Sequence, residues 1–424
     1  MTRELGAADL DLKGIIRPGD RVFWGQAAAE PLTLSAAIVA QRAELGPLEI
    51  FLGLGYAGTL RPEHADHLRF IGYGALGDHQ ALAKAGLLQI LPCHYSQLSR
   101  LLRRRELRCD VACLHLSPPN ADGECSLGAG NDYMLEAARQ ARVVIAEIND
   151  QAPWTYGSQA LADLRIDYLV RTSRLLPEVT VPPPGEIEQR IGRHAASFVE
   201  DGAVLQTGIG SIPDAVLAAL AGHHELGAHT GLMGDGMLAL IEAGVITNAR
   251  KPIDAGITIS GLLAGSSRLY RCAHENAALH LCPSWYTHDA GVLARFDNLV
   301  AINSALEVDL TGQVNAEVGN GIYLGAVGGQ LDFVRAANAG ERGCSIIALP
   351  STAKDGAISR IVARNAGITT TPRSDADLVV TEWGAARLRG RTIPQRVRAM
   401  IAIADPAFRE QLERDAHRLV RMSA

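Results

Sequence analysis

Apolar residues along this chain come in two rhythms. Short unbroken runs such as RVFWG (21–25), LEIFLGL (48–54), ARVVIAEI (141–148) and CSIIALP (344–350) alternate with longer stretches of helical spacing, for example IEQRIGRHAASFVEDG (187–202). Strands covered on both faces read as continuous apolar runs, so the alternation predicts an α/β fold of largely parallel sheets flanked by helices. The segment VPPPGE breaks this rhythm, because three consecutive prolines continue neither a helix nor an interior strand. It divides the 424 residues into an expected N-terminal domain (1–180), a linker (181–186) and a C-terminal domain (187–424), each large enough for its own core.

The two parts resemble each other. PGDRVFWGQAAAEP, with Gly19 and Val22, matches DGAVLQTGIGSIPD, with Gly202 and Val204. DVACLHLSPPNADGECSLG from Asp110 lies without a gap on LVAINSALEVDLTGQVNAE from Leu299, which sets Gly123 on Gly312. The expectation is two similar domains of one topology, facing each other across a cleft of the kind that binds ligands.

Composition narrows the chemistry mainly by exclusion. Hydrophobic residues make up 47% and charged residues 20%, which suits a globular protein, and the net charge of −6 gives no footprint for nucleic acid. The basic group Arg103, Arg104, Arg105 and Arg108 lies on a helical stretch and reads as a solvated face. Seven scattered cysteines, an odd number, suit reduced thiols in the cytosol, and Cys109 with Cys113 lacks a second ligand pair at metal spacing. His223, His224 and His229 fit no metal motif, so no metal is expected. With no signal-like start and no run of 18 apolar residues, the expectation is a cytoplasmic protein without a membrane partner.

Two segments could carry chemistry. In VLQTGIGSIPDAVLAAL (204–220) a strand runs through Gly208-Ile209-Gly210-Ser211 into a helix start, a geometry that offers backbone N–H groups to a phosphate or carboxylate but also serves as an ordinary tight turn. In Ala301–Ala337 a strand bearing Glu307 and Asp309 leads to a glycine loop ending Val327-Gly328-Gly329-Gln330, whose N–H groups suit either a developing oxyanion or a plain turn.

Taken in order, VLQTGIGSIPDAV, LGAHTGLMGDGMLALIEAGVI, NSALEVDLTGQV, VGGQLDFVRAA, IALPSTAKDG and TEWGAARLRGRT resemble the acetyl-CoA hydrolase/transferase family, on the side of the 4-hydroxybutyrate CoA-transferases. AEP (29–31), SPPNADG (117–123) and AEINDQAPWTYG (146–157) extend the resemblance into the first half. It implies two CoA-transferase-type domains, with acyl-CoA bound between them as substrate rather than as a tightly held cofactor, a small carboxylic acid as co-substrate, and a homodimer or larger homo-oligomer. Position by position, it implies CoA contacts at Gly208, Ile209, Gly210, Ser211 and Ile212, near Leu306, at Gly328 and Gly329, and near Ser351. Gly384 matches a loop that closes over the site, and Lys354 is a candidate for a CoA phosphate, with a solvent-facing lysine the favoured reading. Gln26 stands where close relatives often carry histidine, in the half expected to hold the acyl group.

One departure stands out. Members of the family read His-Ser/Thr-Glu where this chain reads His229-Thr230-Gly231, and their glutamate is the nucleophile that becomes a glutamyl-CoA thioester. A glycine at 231 cannot do this. Asp235 reads as a turn or cap of the next helix. Glu307, Glu317 and His229 are candidates for a base that activates water, although a structural carboxylate and a packed imidazole are the favoured readings. The expectation is acyl-CoA processing without the glutamyl-CoA intermediate. The alternative is a CoA-binding pseudo-transferase that regulates, or that catalyses intramolecular acyl transfer or carbon–carbon chemistry.

Overall fold

The structure, a computed structural model, describes residues 2–8, 10–157, 161, 163–365 and 367–421, with side chains up to 417 in the last helix. The first part builds an eight-stranded parallel sheet. Across it the strands run Arg3–Leu5, Tyr168–Thr172, Val143–Asn149, Val111–Leu116, Arg21–Trp24, Leu48–Gly55, Leu68–Gly77 and Leu88–Ile90. The second part builds a six-stranded sheet in the order Gly227–Ala228, Val204–Thr207, Leu299–Ser304, Cys344–Ala348, Leu378–Thr381 and Gly384–Arg387. Only the last strand of that sheet is antiparallel.

The sheets are wired alike. In the first, strand 21–24 lies between 48–55 and 111–116; in the second, strand 204–207 lies between 227–228 and 299–304. Val22 pairs with Val111 and Val204 with Leu299, so the matched segments lie on corresponding strands, with the match of Asp110 to Leu299 one residue out of step with that of Val22 to Val204. Residues 181–185 carry no regular structure and lead into the helix Glu186–Ala196.

Alternation sets which core each side chain joins. Val22 and Trp24 enter one face of the first sheet and Phe23 the other, where it stacks on Phe51 with ring centroids 4.3 Å apart. In the second sheet Leu205, Val300 and Ile302 pack in the core that holds Ile191 and Val216 of the helices Glu186–Ala196 and Ser211–Ala219. Val204, Leu299 and Ala301 face Phe333 of the helix Gln330–Ala339. Burying each large side chain contributes roughly 1.5–3 kcal/mol, and a one-residue slip would exchange the two faces, so the register is strongly specified.

The halves meet through backbone as well as side chains. Asn131 donates its N–H to Gly261 at 2.8 Å and Leu263 to Ala129 at 2.9 Å. The glycine loop of the second half is stitched to the first: Ala75 N–H reaches Gly325 O and Tyr95 N–H reaches Gly328 O, both at 2.9 Å. Ser96 adds a 2.8 Å hydroxyl bond to Asp332. All seven cysteines are unpaired thiols. Arg108 pairs with Asp110 at 3.0 Å, and Arg103, Arg104 and Arg105 are exposed. Among the described residues, no helix is long and apolar enough to cross a membrane.

Candidate active site

Residue 231 lies where three segments converge. Thr230 donates its hydroxyl to Thr207 O at 2.9 Å, which ties the segment to the end of strand 204–207 and so to the loop Gly208–Gly210. Leu262 N–H reaches Gly231 O at 3.1 Å, and Gly261 packs so closely that a Cβ on it would lie 2.8 Å from that same oxygen. Ile209 packs over Gly234, where a Cβ would meet its Cγ2 at 3.1 Å. Gly210 holds φ at 126°, a left-handed value natural to glycine, and caps the helix Ser211–Ala219.

The space beside Gly231 is filled. A Cβ built on Gly231 would lie 2.6 Å from Cε1 and 2.7 Å from Nε2 of His288. A Cβ on Gly329 would lie 2.5 Å from the same Nε2 and 2.6 Å from Cδ2. Two glycines from distant parts of the chain therefore leave the room that one imidazole occupies. The ring is buried and lies against Tyr95 and Phe333, with centroids 4.7 and 4.8 Å away. Burial, with His229 nearby as a second cause, drives its pKa down to about 3, so it is neutral at physiological pH.

The Thr287 hydroxyl bears on its tautomer and fits either one. Thr287 Oγ1 lies 2.8 Å from His288 Nδ1 and 3.4 Å from Pro283 O. A hydroxyl proton directed to the carbonyl lets the oxygen accept from Nδ1–H, which leaves a lone pair on Nε2. Among the described residues no hydrogen bond reaches Nε2. In His229 the bonded nitrogen is the other one: its Nε2 meets Thr287 O at 3.1 Å and, because a carbonyl only accepts, carries the proton, which leaves Nδ1 buried without a partner among the described residues. Its ring is fully buried, packs on Phe296 at 5.1 Å, and is driven down to about 3 by burial and then by Lys251. These are the surroundings of a packed imidazole.

The other candidates have partners of their own. Glu317 is buried, accepting from Tyr323 OH on one oxygen and from Thr370 Oγ1 at 2.8 Å on the other. Glu307 accepts from Asn315 Nδ2 at 3.1 Å. Among the described residues, no hydrogen bond joins Glu317 to residue 231 or to His288. Asp235 opens the helix Asp235–Glu242 and holds Ser266 through both carboxylate oxygens. Leu306 is half-buried, and Ser351 is tied to Glu382 by bonds of 2.5 and 2.9 Å with Trp383 Nε1 3.1 Å from its hydroxyl. Lys354 is exposed. The structure thus brings Gly231, Gly329 and the Gly208–Ser211 loop into one region, while Glu307 opens the strand Glu307–Asp309 opposite Asn315 and Glu317 lies two residues beyond Asn315.

A polar hub adjoins this region from the first half. Gln26 Nε2 donates to Tyr95 OH and to Asp132 Oδ2, both at 2.7 Å, while its Oε1 accepts from Leu54 N–H and Tyr73 OH, both at 2.8 Å. Every polar position of the amide is used. Tyr95 then carries the network to His288 by ring contact. Burial raises the pKa of Asp132, whose oxygens accept from the Gln26 amide and from Met134 N–H. Neither His288 nor Tyr95 was legible as a site residue, since no motif spacing joins them to Gly231. A separate cavity of about 630 Å³ borders His288 together with Arg100, Asp332 and Arg335. None of the Gly208–Ile212 loop, Leu306, Gly329 or Ser351 lines it, so the shared contacts around residue 231, rather than this cavity, define the site.

Comparison with known proteins agrees with this architecture. Residues 7–177 match the acetyl-CoA hydrolase/transferase N-terminal domain and residues 265–416 the C-terminal domain. The chain is 38% identical over 396 residues to 4-hydroxybutyrate coenzyme A transferase of Clostridium kluyveri, covering 92% of each chain. It is 34% identical to succinyl-CoA:cyclohexane-1-carboxylate CoA transferase of Geobacter metallireducens, covering 99% of this chain and 97% of the other. The solved structure of RipA from Yersinia pestis superposes with a TM-score of 0.90 at 34% identity, covering 95% of both chains.

Proposed function

Because the chain belongs to the acetyl-CoA hydrolase/transferase family, we propose that it is an enzyme of acyl-CoA thioesters that works without a glutamyl-CoA intermediate. The observation that carries this reading is the imidazole of His288 lying 2.6–2.7 Å from the point where a side chain at 231 would begin. The position holds no carboxylate, and its space is already taken.

In this reading CoA runs along the Gly208–Ser211 loop at the start of the nine-residue helix Ser211–Ala219, where free N–H groups and the helix dipole favour a phosphate. Leu306, Gly328, Gly329 and Ser351 complete the groove, and Gly329, at the start of the helix Gln330–Ala339, presents N–H groups to the thioester oxygen. The acyl group enters the first half near the Gln26 hub. The protein works in the cytoplasm, as its scattered cysteines suggest, and as a homodimer or larger homo-oligomer, as the family resemblance implies. Water, rather than a second carboxylic acid, takes the acyl group.

Incubation with acetyl-, butyryl- and succinyl-CoA, with and without acetate, tests this. Free CoA released without acetate is expected. Rapid acetate-dependent CoA exchange, or a CoA adduct on a carboxylate detected by intact mass, would overturn it. The runner-up is a CoA-binding protein without turnover, favoured by the close packing of Tyr95 and Phe333 around His288. Binding with no thioester consumed would select it.

A further inference from the structure

We propose that His288 is the catalytic general base of this site, its Nε2 drawing a proton from the water that attacks the thioester. The inference rests on the reading above and names the group that performs the step.

Three observations carry it. First, His288 Nε2 is the ring nitrogen turned toward both glycines, 2.7 Å from the Cβ position of 231 and 2.5 Å from that of 329. Gly329 belongs to the loop with N–H groups suited to an oxyanion, so base and oxyanion donor stand side by side. Second, with the Thr287 hydroxyl turned to Pro283 O and receiving Nδ1–H, the tautomer this proposal requires, the Nε2 lone pair is left without a protein partner. The orientation is held by Tyr95 and Phe333 on the ring and by the turn Ser284–Thr287 beneath it. Third, the reach of the ring selects a base over a nucleophile. Standard bond lengths put the carboxyl carbon of a glutamate about 2.5 Å from its Cβ, so Nε2 stands near that depth and the carboxylate oxygens would extend one bond further. In this proposal the thioester lies where those oxygens would reach, and the attacking water stands between Nε2 and the carbonyl carbon at hydrogen-bond distance, about 2.8 Å.

The step balances without a further reactant. Water gives a proton to Nε2 as its oxygen bonds to the thioester carbonyl carbon. The tetrahedral oxyanion rests on the Gly329 loop, then collapses with cleavage of the C–S bond. The proton on Nε2 passes to the leaving sulfur, releasing a carboxylic acid and CoA thiol. The imidazolium that burial disfavours is formed only while the oxyanion is beside it, so the site stabilises the pair in the transition state rather than in the resting enzyme.

The experiment uses full-length protein with the same three acyl-CoAs. His288→Ala is expected to slow hydrolysis by about 10²–10⁴-fold while CoA affinity stays within about threefold, and added imidazole should restore part of the rate. His288→Gln, which keeps a side chain of similar length without a basic nitrogen, should be equally slow and serves if the alanine variant does not fold. Hydrolysis at the wild-type rate in a folded variant would overturn this proposal and leave the absence of glutamyl-CoA standing. A hydroxylamine-sensitive acyl adduct on His288 would overturn the base role in favour of covalent attack. A CoA adduct on a carboxylate, or no consumption of any thioester by the wild type, would overturn both proposals.

Discussion

Gln26 and His288 are both buried polar side chains at the meeting of the two halves, and they differ in how fully they are satisfied. Gln26 has four hydrogen bonds for four positions and depends on Gly53, where any Cβ would collide with its Oε1. His288 has one side held by Thr287 and the other turned, without a partner, toward two glycines. A saturated group fixes geometry, because moving it breaks several bonds at once. A half-satisfied group in an otherwise complete shell is available to something that arrives later.

The comparison breaks most visibly at the hub. Gln26→Leu leaves Leu54 N–H, Tyr73 OH and Oδ2 of Asp132 without these partners, so a loss of about 3 kcal/mol or more in urea unfolding is expected. A smaller loss would mean that the hub is hydrated and less rigid than drawn. Next, Gly231→Glu must displace the imidazole, and overpacking should cost about 1–3 kcal/mol. Combining it with His288→Ala should recover that stability and create acetate-dependent CoA exchange; a single variant as stable as the wild type would show that the two residues do not compete for space.

Acidification sharpens the contrast more gently. His288 and His229 sit near 3 in the fold, against about 6.5 unfolded. Because the unfolded chain binds the extra protons, their contribution to stability is complete above pH 6.5 and declines as pH falls toward 3. Each should contribute a slope of about 1.4 kcal/mol per pH unit inside that window. Urea midpoints measured from pH 7 to pH 5 should therefore fall less steeply in His288→Gln than in the wild type, and parallel curves would refute the burial of this ring. Least of all, Arg104→Ala, which removes one of two exposed partners 3.9 Å apart, should leave the unfolding midpoint within experimental scatter.

Much of the fold was legible because its signals are local. The apolar runs at 21–25, 48–54 and 344–350 all fall on buried parallel strands, and the segments matched at Val22 with Val204 and at Asp110 with Leu299 fall on corresponding strands, the two matches differing by one residue in register. The glycine at 231, which we propose stands in place of the family's glutamate, was equally readable as a gap. What fills it was not. His288 reaches the site through a short turn after Cys282, and its value there comes from the absent side chains of Gly231 and Gly329, which no periodicity or spacing connects to it. Glu307 and Glu317 drew attention as nearby acids in sequence, yet their hydrogen bonds hold Asn315, Tyr323 and Thr370.

The stitching of the glycine loop also has a mechanical side. Gly325 and Gly328 belong to one half of the molecule, but their carbonyls are clasped by Ala75 and Tyr95 of the other. Any hinge motion that parts the halves has to pull these carbonyls from their amides, so opening the cleft and disturbing the glycine loop become a single event. Amide exchange at Ala75 and Tyr95 would then act as a gauge of how often the enzyme disarms itself.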